Sequence, residues 1–410
     1  MATKPEQVRS VDPLDVSRAA LYRDDAWHAP FRELRATAPV HKVEHSDFGP
    51  YWSISSYKPI VEVESLPDLY SSQAGGITIA EFIEHKDAVR MPMFIAMDRP
   101  KHTGQRRTVA PAFTPSEMVR MSENIRTRTS EILDSLPWGE EFDWVDTVSI
   151  ELTTQMLAIL FDFPWEDRRK LTFWSDWAGD IELAKDEAHR AERLSHMYAC
   201  GAYFQKLWDQ KVGQPPTPDL ISMMIHSDAM REMDHLEFLG NLILLIVGGN
   251  DTTRNSMTAA AYGLDKFPDA RGKLETDPSL IPNAVQEIIR WQTPLAHMRR
   301  TATRDAELMG QQIRQGDKLA LWYLSANRDE SVFEDADRII VDRPNARRHL
   351  AFGHGIHRCV GARLAELQIA TLLEEMAARR MRVNVLREPE RVAACFVHGY
   401  RKLPVTISSY

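Results

Sequence analysis

Cys359 constrains this chain more than any other residue, because of what surrounds it. Residues 352 to 361 read Phe-Gly-His-Gly-Ile-His-Arg-Cys-Val-Gly, and ARLAELQIATLLEEMAARR follows. In that second stretch Leu364, Leu367 and Leu372 recur with Glu and Arg between them, which is the pattern of an amphipathic helix. Cys359 therefore lies at or just before a helix N-terminus, where free backbone N–H groups and the positive end of the helix dipole favour an anionic thiolate. Gly353 and Gly355 let the preceding loop take positive φ and approach a flat ligand closely. Phe352 would shield the sulfur from water. Alone, a cysteine at a helix start is an ordinary buried apolar residue. Two glycines, a Phe, His357 two residues before and Gly361 two residues after make a metal-binding thiolate the better reading.

A second pattern stands apart from the first. Residues 236 to 260, LEFLGNLILLIVGGNDTTRNSMTAA, read as one long helix with Gly248 and Gly249 in its middle and Asp251 and Thr252 just beyond. Each glycine costs about 1 kcal/mol relative to Ala inside a helix. Such a pair implies that something must come close to the backbone. An acid and an alcohol at that point can relay a proton.

The rest of the sequence sets bounds. The chain has 410 residues, 43% of them apolar and 27% charged, an ordinary globular composition with enough length for a large core. A net charge of −9 argues against nucleic acid and anionic membrane surfaces as partners. Three scattered cysteines do not make a disulfide framework, so a reduced, cytoplasmic setting is expected. The first ten residues are polar, and the apolar run LILLIV (242–247) is too short to span a membrane. There is no linker and no internal repeat, so residues 1–410 are expected to form a single domain. Helical patterns dominate from about 117 to 292. Strand-like patches lie at PVHKVEH, YWSIS, around 299–321 and in the last thirty residues, so the fold class is mainly α (α+β).

Taken with their spacing, these segments resemble the cytochrome P-450 family. Residues 352–361 match its haem-binding signature Phe-x-x-Gly-x-[Arg/His]-x-Cys-x-Gly, with His357 in the slot usually filled by Arg. Gly248 to Thr252 resembles the family's oxygen-binding stretch, with Gly248 where Ala is usual. Glu287-Ile288-Ile289-Arg290, framed by Pro282 and Pro294, resembles its Glu-x-x-Arg pair, with Arg343 as the implied third member. Asp98-Arg99-Pro100-Lys101-His102 with Arg106 resembles its Asp-x-Pro-x-His-x-x-x-Arg segment. The resemblance covers essentially the whole chain.

It implies the family's triangular helical prism with small β-sheets near both ends, and haem b (iron protoporphyrin IX) with Cys359 as the axial ligand to iron. It implies O2 as co-substrate, with Asp251 and Thr252 delivering protons. Gly248, Gly249, Phe352 and Gly361 would contact the cofactor. His102, Arg106, His357 and Arg300 would meet its propionates, with Arg299 the alternative to Arg300. Electrons are expected from a separate ferredoxin and ferredoxin reductase, because no Cys-x4-Cys-x2-Cys spacing is present. Arg347, Arg348 and His349 are expected on the docking face.

The loop from Gly75 to Met97 is rich in Ile, Met and Phe. It is expected to wall a substrate pocket with Ile77, Ile83, Met93 and Phe94, together with Leu245, Ile246, Gly249, Leu295, Met298 and Phe396. The stretches MPMFIAMDRPKH and LILLIVGGNDTTRNSM are similar to the family's alkane and fatty-acid terminal (ω) hydroxylase branch, which implies terminal hydroxylation of medium-chain alkanes or fatty acids. A terpene or steroid hydroxylase, and a non-catalytic haem-thiolate ligand sensor or carrier, remain open.

Overall fold

The computed structural model describes residues 12–80, 91–181 and 187–410. Its spine is the helix His235–Lys266, 32 residues long and buried along most of its length. Asp234 caps it: the carboxylate accepts from Glu237 N at 2.9 Å, as an Asn or Asp N-cap does. A helix apolar on nearly every face must be covered all round. Here the helices Glu151–Phe161, Arg169–Gly179, Glu187–Lys211, Ile281–Gln292 and Ala362–Ala378 pack on it.

The spine belongs to two apolar cores in succession. Its first half, through Ile246, packs with Met156–Phe161, Leu171, Trp174 and Phe204. Its second half, from Met257, packs with Val285, Ile288, Ile369, Leu372 and the C-terminal strands. Gly248 to Ser256 falls between these cores, beside a large cavity.

The sheets gather strands that are far apart in sequence. Val40–Val43 and Tyr51–Ile54 form an antiparallel hairpin turned by Gly49 at φ +73°. Tyr51–Ile54 then runs parallel to Lys318–Leu321, which pairs antiparallel with Met298–Ala302, and Tyr70–Ser71 closes the edge. Every residue of Tyr51–Ile54 is buried, as a central strand requires. A second sheet joins Phe142–Asp143, Pro404–Ser409 and Met381–Val385 near the C-terminus.

The helix Ile281–Gln292 carries a buried charge cluster. Glu287 Oε2 accepts from Arg290 Nε at 2.7 Å, and Arg343 Nε donates to both Glu287 oxygens at 3.0 Å. Ile340 N adds a bond at 2.9 Å. The remaining guanidinium donors reach the carbonyls of Asn327, Ala336 and Arg338. Fully partnered in this way, the cluster staples the segment 327–343 to the helix. Removing one member of such a buried set typically costs about 3–5 kcal/mol, because the other charges are left behind.

Candidate active site

The cysteine loop folds as its glycines allow. Gly353 and Gly355 take φ of +69° and +65°. A Cβ on Gly355 would sit 2.3 Å from Glu64 O, so only glycine fits there. Cys359 N donates to Phe352 O at 2.8 Å, which closes the loop, and Gly361 caps the helix Ala362–Ala378. The Cys359 sulfur opens onto the cavity. Burial pushes its thiol up, while the Gly361 N–H and the charges of Arg106 and Arg358 pull the other way. A thiol so placed ionises readily only when a bound cation supplies the missing counter-charge.

Across the cavity lies the glycine-bearing stretch of the spine. A Cβ on Gly248 would meet no protein atom within 4 Å, whereas one on Gly249 would lie 2.7 Å from Leu157 Cδ2. Thr252 Oγ1 donates to Gly248 O at 2.7 Å, one turn back. Asp251 is buried, and its Oδ1 accepts from Ser175 Oγ at 2.8 Å, Asn250 Nδ2 at 3.1 Å and Arg254 at 3.0 Å. Arg254 also donates to Asp176 Oδ1 at 2.8 Å, and that carboxylate is 53% exposed. A charged chain thus runs from the surface to Asp251. Burial pushes the Asp251 carboxyl up against the pull of Arg254, which makes it easier to protonate than a surface carboxylate.

A thiol at a helix start thus faces a helix notched by glycine, across a cavity of about 1820 Å³. The cytochrome P450 family model matches residues 83–379. The chain belongs to the cytochrome P450 family. It is 35% identical to a linalool 8-monooxygenase of Pseudomonas putida, over 96% of this chain and 98% of that one. It is 33% identical to a methyl-branched lipid omega-hydroxylase of Mycobacterium tuberculosis, over 94% and 92%. CYP153D17 from Sphingomonas sp. PAMC 26605 is 84% identical, with a TM-score of 0.93 over 97% of this chain and 99% of that one. Cytochrome P450-153 from Novosphingobium aromaticivorans is 61% identical, with a TM-score of 0.92 over 97% and 100%. The molecule is a P450 monooxygenase with the family's mainly helical fold.

The residues of this P450 fit a thiolate-ligated haem. His102 and His357 are buried with their rings 4.3 Å apart, and none of their four ring nitrogens has a hydrogen-bond partner. Burial and the cations Arg106, Arg99 and Arg300 push the His102 ring down to about 4, and His357 lower still. Unsatisfied donors amid excess positive charge call for an anion, and the two carboxylates of a porphyrin supply one. Arg106, His357 and Arg300 line the cavity directly, while His102 stands behind His357. When bound, the haem iron supplies O2 activation and C–H oxidation.

On the strand Met298–Ala302, Met298 and Arg300 face the cavity and Arg299 points to the other side, towards Gly75 and Thr301. Arg300 donates to Glu64 Oε1 at 3.1 Å. Glu64 also accepts from Tyr323 Oη at 2.5 Å and from His354 N at 2.8 Å in the cysteine loop. No motif contains Glu64, and its one sequence signal is an acid on the otherwise buried face of the helix Tyr57–Ser65.

Ile77, Met93, Phe94, Leu245, Gly249, Leu295, Met298 and Phe396 line the cavity, together with Gly248, Asp251, Thr252, Phe352, Cys359 and Gly361. Two expectations need correction. Ile246 does not line the cavity: it lies one position off the Leu245–Gly249–Thr252 face and packs into the apolar core. His349 is buried, not on the docking face. Its Nδ1 accepts from Ala351 N at 3.2 Å, and its Nε2 lies 3.3 Å from Gln286 Oε1. Ile83 lies outside the described residues. Arg347 and Arg348 are exposed, as is Arg358 beside the cysteine.

Proposed function

We propose that this P450 hydroxylates the terminal carbon of medium-chain alkanes or fatty acids. The observation that carries this reading is the wall of the distal cavity. Ile77, Met91, Met93, Phe94, Leu245, Leu295 and Phe396 line the same cavity as Thr252 and offer an unbranched chain apolar contact. Similarity to a lipid omega-hydroxylase and to two CYP153 proteins supports it. The 35% identity to a linalool 8-monooxygenase favours a second reading, a terpene alcohol as substrate.

The residues take these parts. Cys359 holds the iron of haem b, and His102, Arg106, Arg300 and His357 hold its propionates. Gly248 and Gly249 admit the cofactor face and O2, while Phe352 and Gly361 shelter the thiolate. Thr252 holds a proton at the distal side and Asp251 supplies it, while Arg254, itself paired with half-exposed Asp176, balances the Asp251 charge. A partnered, buried acid beside a cavity-facing alcohol supports catalysis over simple ligand sensing or carriage. Exposed Arg347, Arg348 and Arg358 favour an acidic ferredoxin, itself reduced by a separate reductase. The whole chain works as one domain. Three cysteines without disulfides support a cytoplasmic setting, and among the described residues no helix is long and apolar enough to cross a membrane.

Turnover with a surrogate ferredoxin and reductase tests this on dodecane, dodecanoic acid and linalool. The expected products are 1-dodecanol and the ω-hydroxy acid. Oxidation of linalool alone would replace the terminal-hydroxylase reading with the terpene one.

A further inference from the structure

His297 lies between Leu295 and Met298, which both line the cavity, yet its own ring is wholly buried away from it. Both ring nitrogens are engaged. Nδ1–H donates to Cys395 O at 2.8 Å, and Nε2 accepts from Ile79 N at 3.1 Å. One donor and one acceptor require the neutral ring. Burial, which pushes its pKa down to about 4, keeps it in that state at pH 7. The ring also packs against Trp322 at 4.8 Å and edge-on to Phe396 at 5.4 Å.

The two partners belong to different walls of the cavity. Ile79 lies in the segment that carries Ile77, Thr78 and Ala80 to the lining, and Cys395 precedes Phe396 and Val397, which also line it. Backbone bonds hold each wall to the segment 296–299 at a neighbouring point. Arg299 N donates to Ile77 O at 2.7 Å and Ala296 N to Phe396 O at 2.8 Å. Those bonds bind each wall to that segment separately. The imidazole is a single rigid body that touches both.

We propose that His297 is a positioning residue whose ring fixes the spacing between the Ile77–Ala80 wall and the Phe396–Val397 wall, and so decides which carbon of a bound chain faces the oxidant. Terminal selectivity depends on such a spacing, because the methyl end of a chain is reached only if the walls prevent the chain from bending. The selectivity part of this proposal rests on the hydroxylase reading above; the wall-spacing part does not.

The test uses haem-loaded protein and three variants. His297→Phe keeps a ring and removes both bonds. His297→Asn keeps a polar group near the Nδ1 position, and His297→Gln keeps one near Nε2. The first readout is the affinity of imidazole and of 1-alkylimidazoles from butyl to dodecyl, whose tails probe the walls. The second is the ratio of ω to ω−1 product from dodecanoic acid.

In His297→Phe, the dodecylimidazole affinity should fall by about fivefold, the size of one ordinary hydrogen bond, while imidazole changes by less than about twofold. The product should move towards ω−1, with Asn and Gln in between. A merely structural role would lower haem content or melting temperature and leave the chain-length series and the product ratio parallel to wild type. That parallel result, in Phe or in the two amide variants should Phe not fold, overturns the proposal. If wild type gives no ω-product, the hydroxylase reading falls and the alkylimidazole series still decides the spacing claim.

Discussion

Asp251 shows how much one residue's role depends on what surrounds it. Its sequence context marks only an acid next to an alcohol. The fold adds Ser175 from another helix, Arg254 one turn on and the half-exposed Asp176 beyond. An amide in its place could still accept from Ser175, yet could neither carry a proton nor balance buried Arg254. For Asp251→Asn, turnover should fall by about 10²-fold with substrate affinity nearly unchanged, and the solvent isotope effect on turnover should rise. Steady-state rates in H2O and D2O check this. Equal rates in the variant and wild type would remove Asp251 from the proton path. Glu64 is the opposite case: without a motif to point to it, its part under Arg300 emerges only when it meets Arg300 and His354, 236 and 290 positions away.

At the scale of the element, the spine is a helix that tolerates two glycines for two different reasons. Gly249 is required by a neighbour, since a Cβ there would push Leu157. Gly248 faces open cavity, and inside the protein alone nothing forbids a side chain. Gly248→Ala should therefore raise the unfolding free energy of haem-free protein by about 1 kcal/mol through helix propensity. It should leave haem uptake and the ligand spectrum close to wild type, because the cavity has room for one methyl and Ala is the usual residue at this position in the family. Gly249→Ala should gain little or lose stability. Urea unfolding and haem titration of the two variants separate these outcomes. The cysteine helix was legible from its leucines. Ile246 was misread because an apolar run supplies no polar face by which to orient it.

At the scale of the whole molecule, several buried histidines must stay neutral for the fold to hold. Burial pushes His297 and His398 down to about 4. In the unfolded chain each would bind a proton near pH 6.5. Between these values the unfolded state carries more protons, so stability is full above about pH 6.5 and declines as pH falls towards 4. The slope is at most about 1.4 kcal/mol per pH unit for each residue. Urea midpoints measured from pH 7.5 to 4.5 should fall accordingly, with a shallower slope in His297→Gln. A flat profile would show that these rings are not neutral in the fold.

Local chemistry was readable from the sequence wherever it lies within one stretch of chain. The glycines and cysteine of 352–361, the glycine-acid-alcohol run of the spine and the Glu-x-x-Arg pair each place their residue types within a few positions of one another, so spacing alone displays them, although the partners that Gly355 and Asp251 meet are distant. That Arg300 and not Arg299 lines the cavity depends on the pleat direction of one strand, which its pairing with Lys318–Leu321 sets. The burial of His349, the orphaned nitrogens of His102 and His357, and the two-wall grip of His297 needed tertiary structure. Each depends on which distant backbone or side-chain atoms come within hydrogen-bond reach, and a one-dimensional pattern carries no term for that distance.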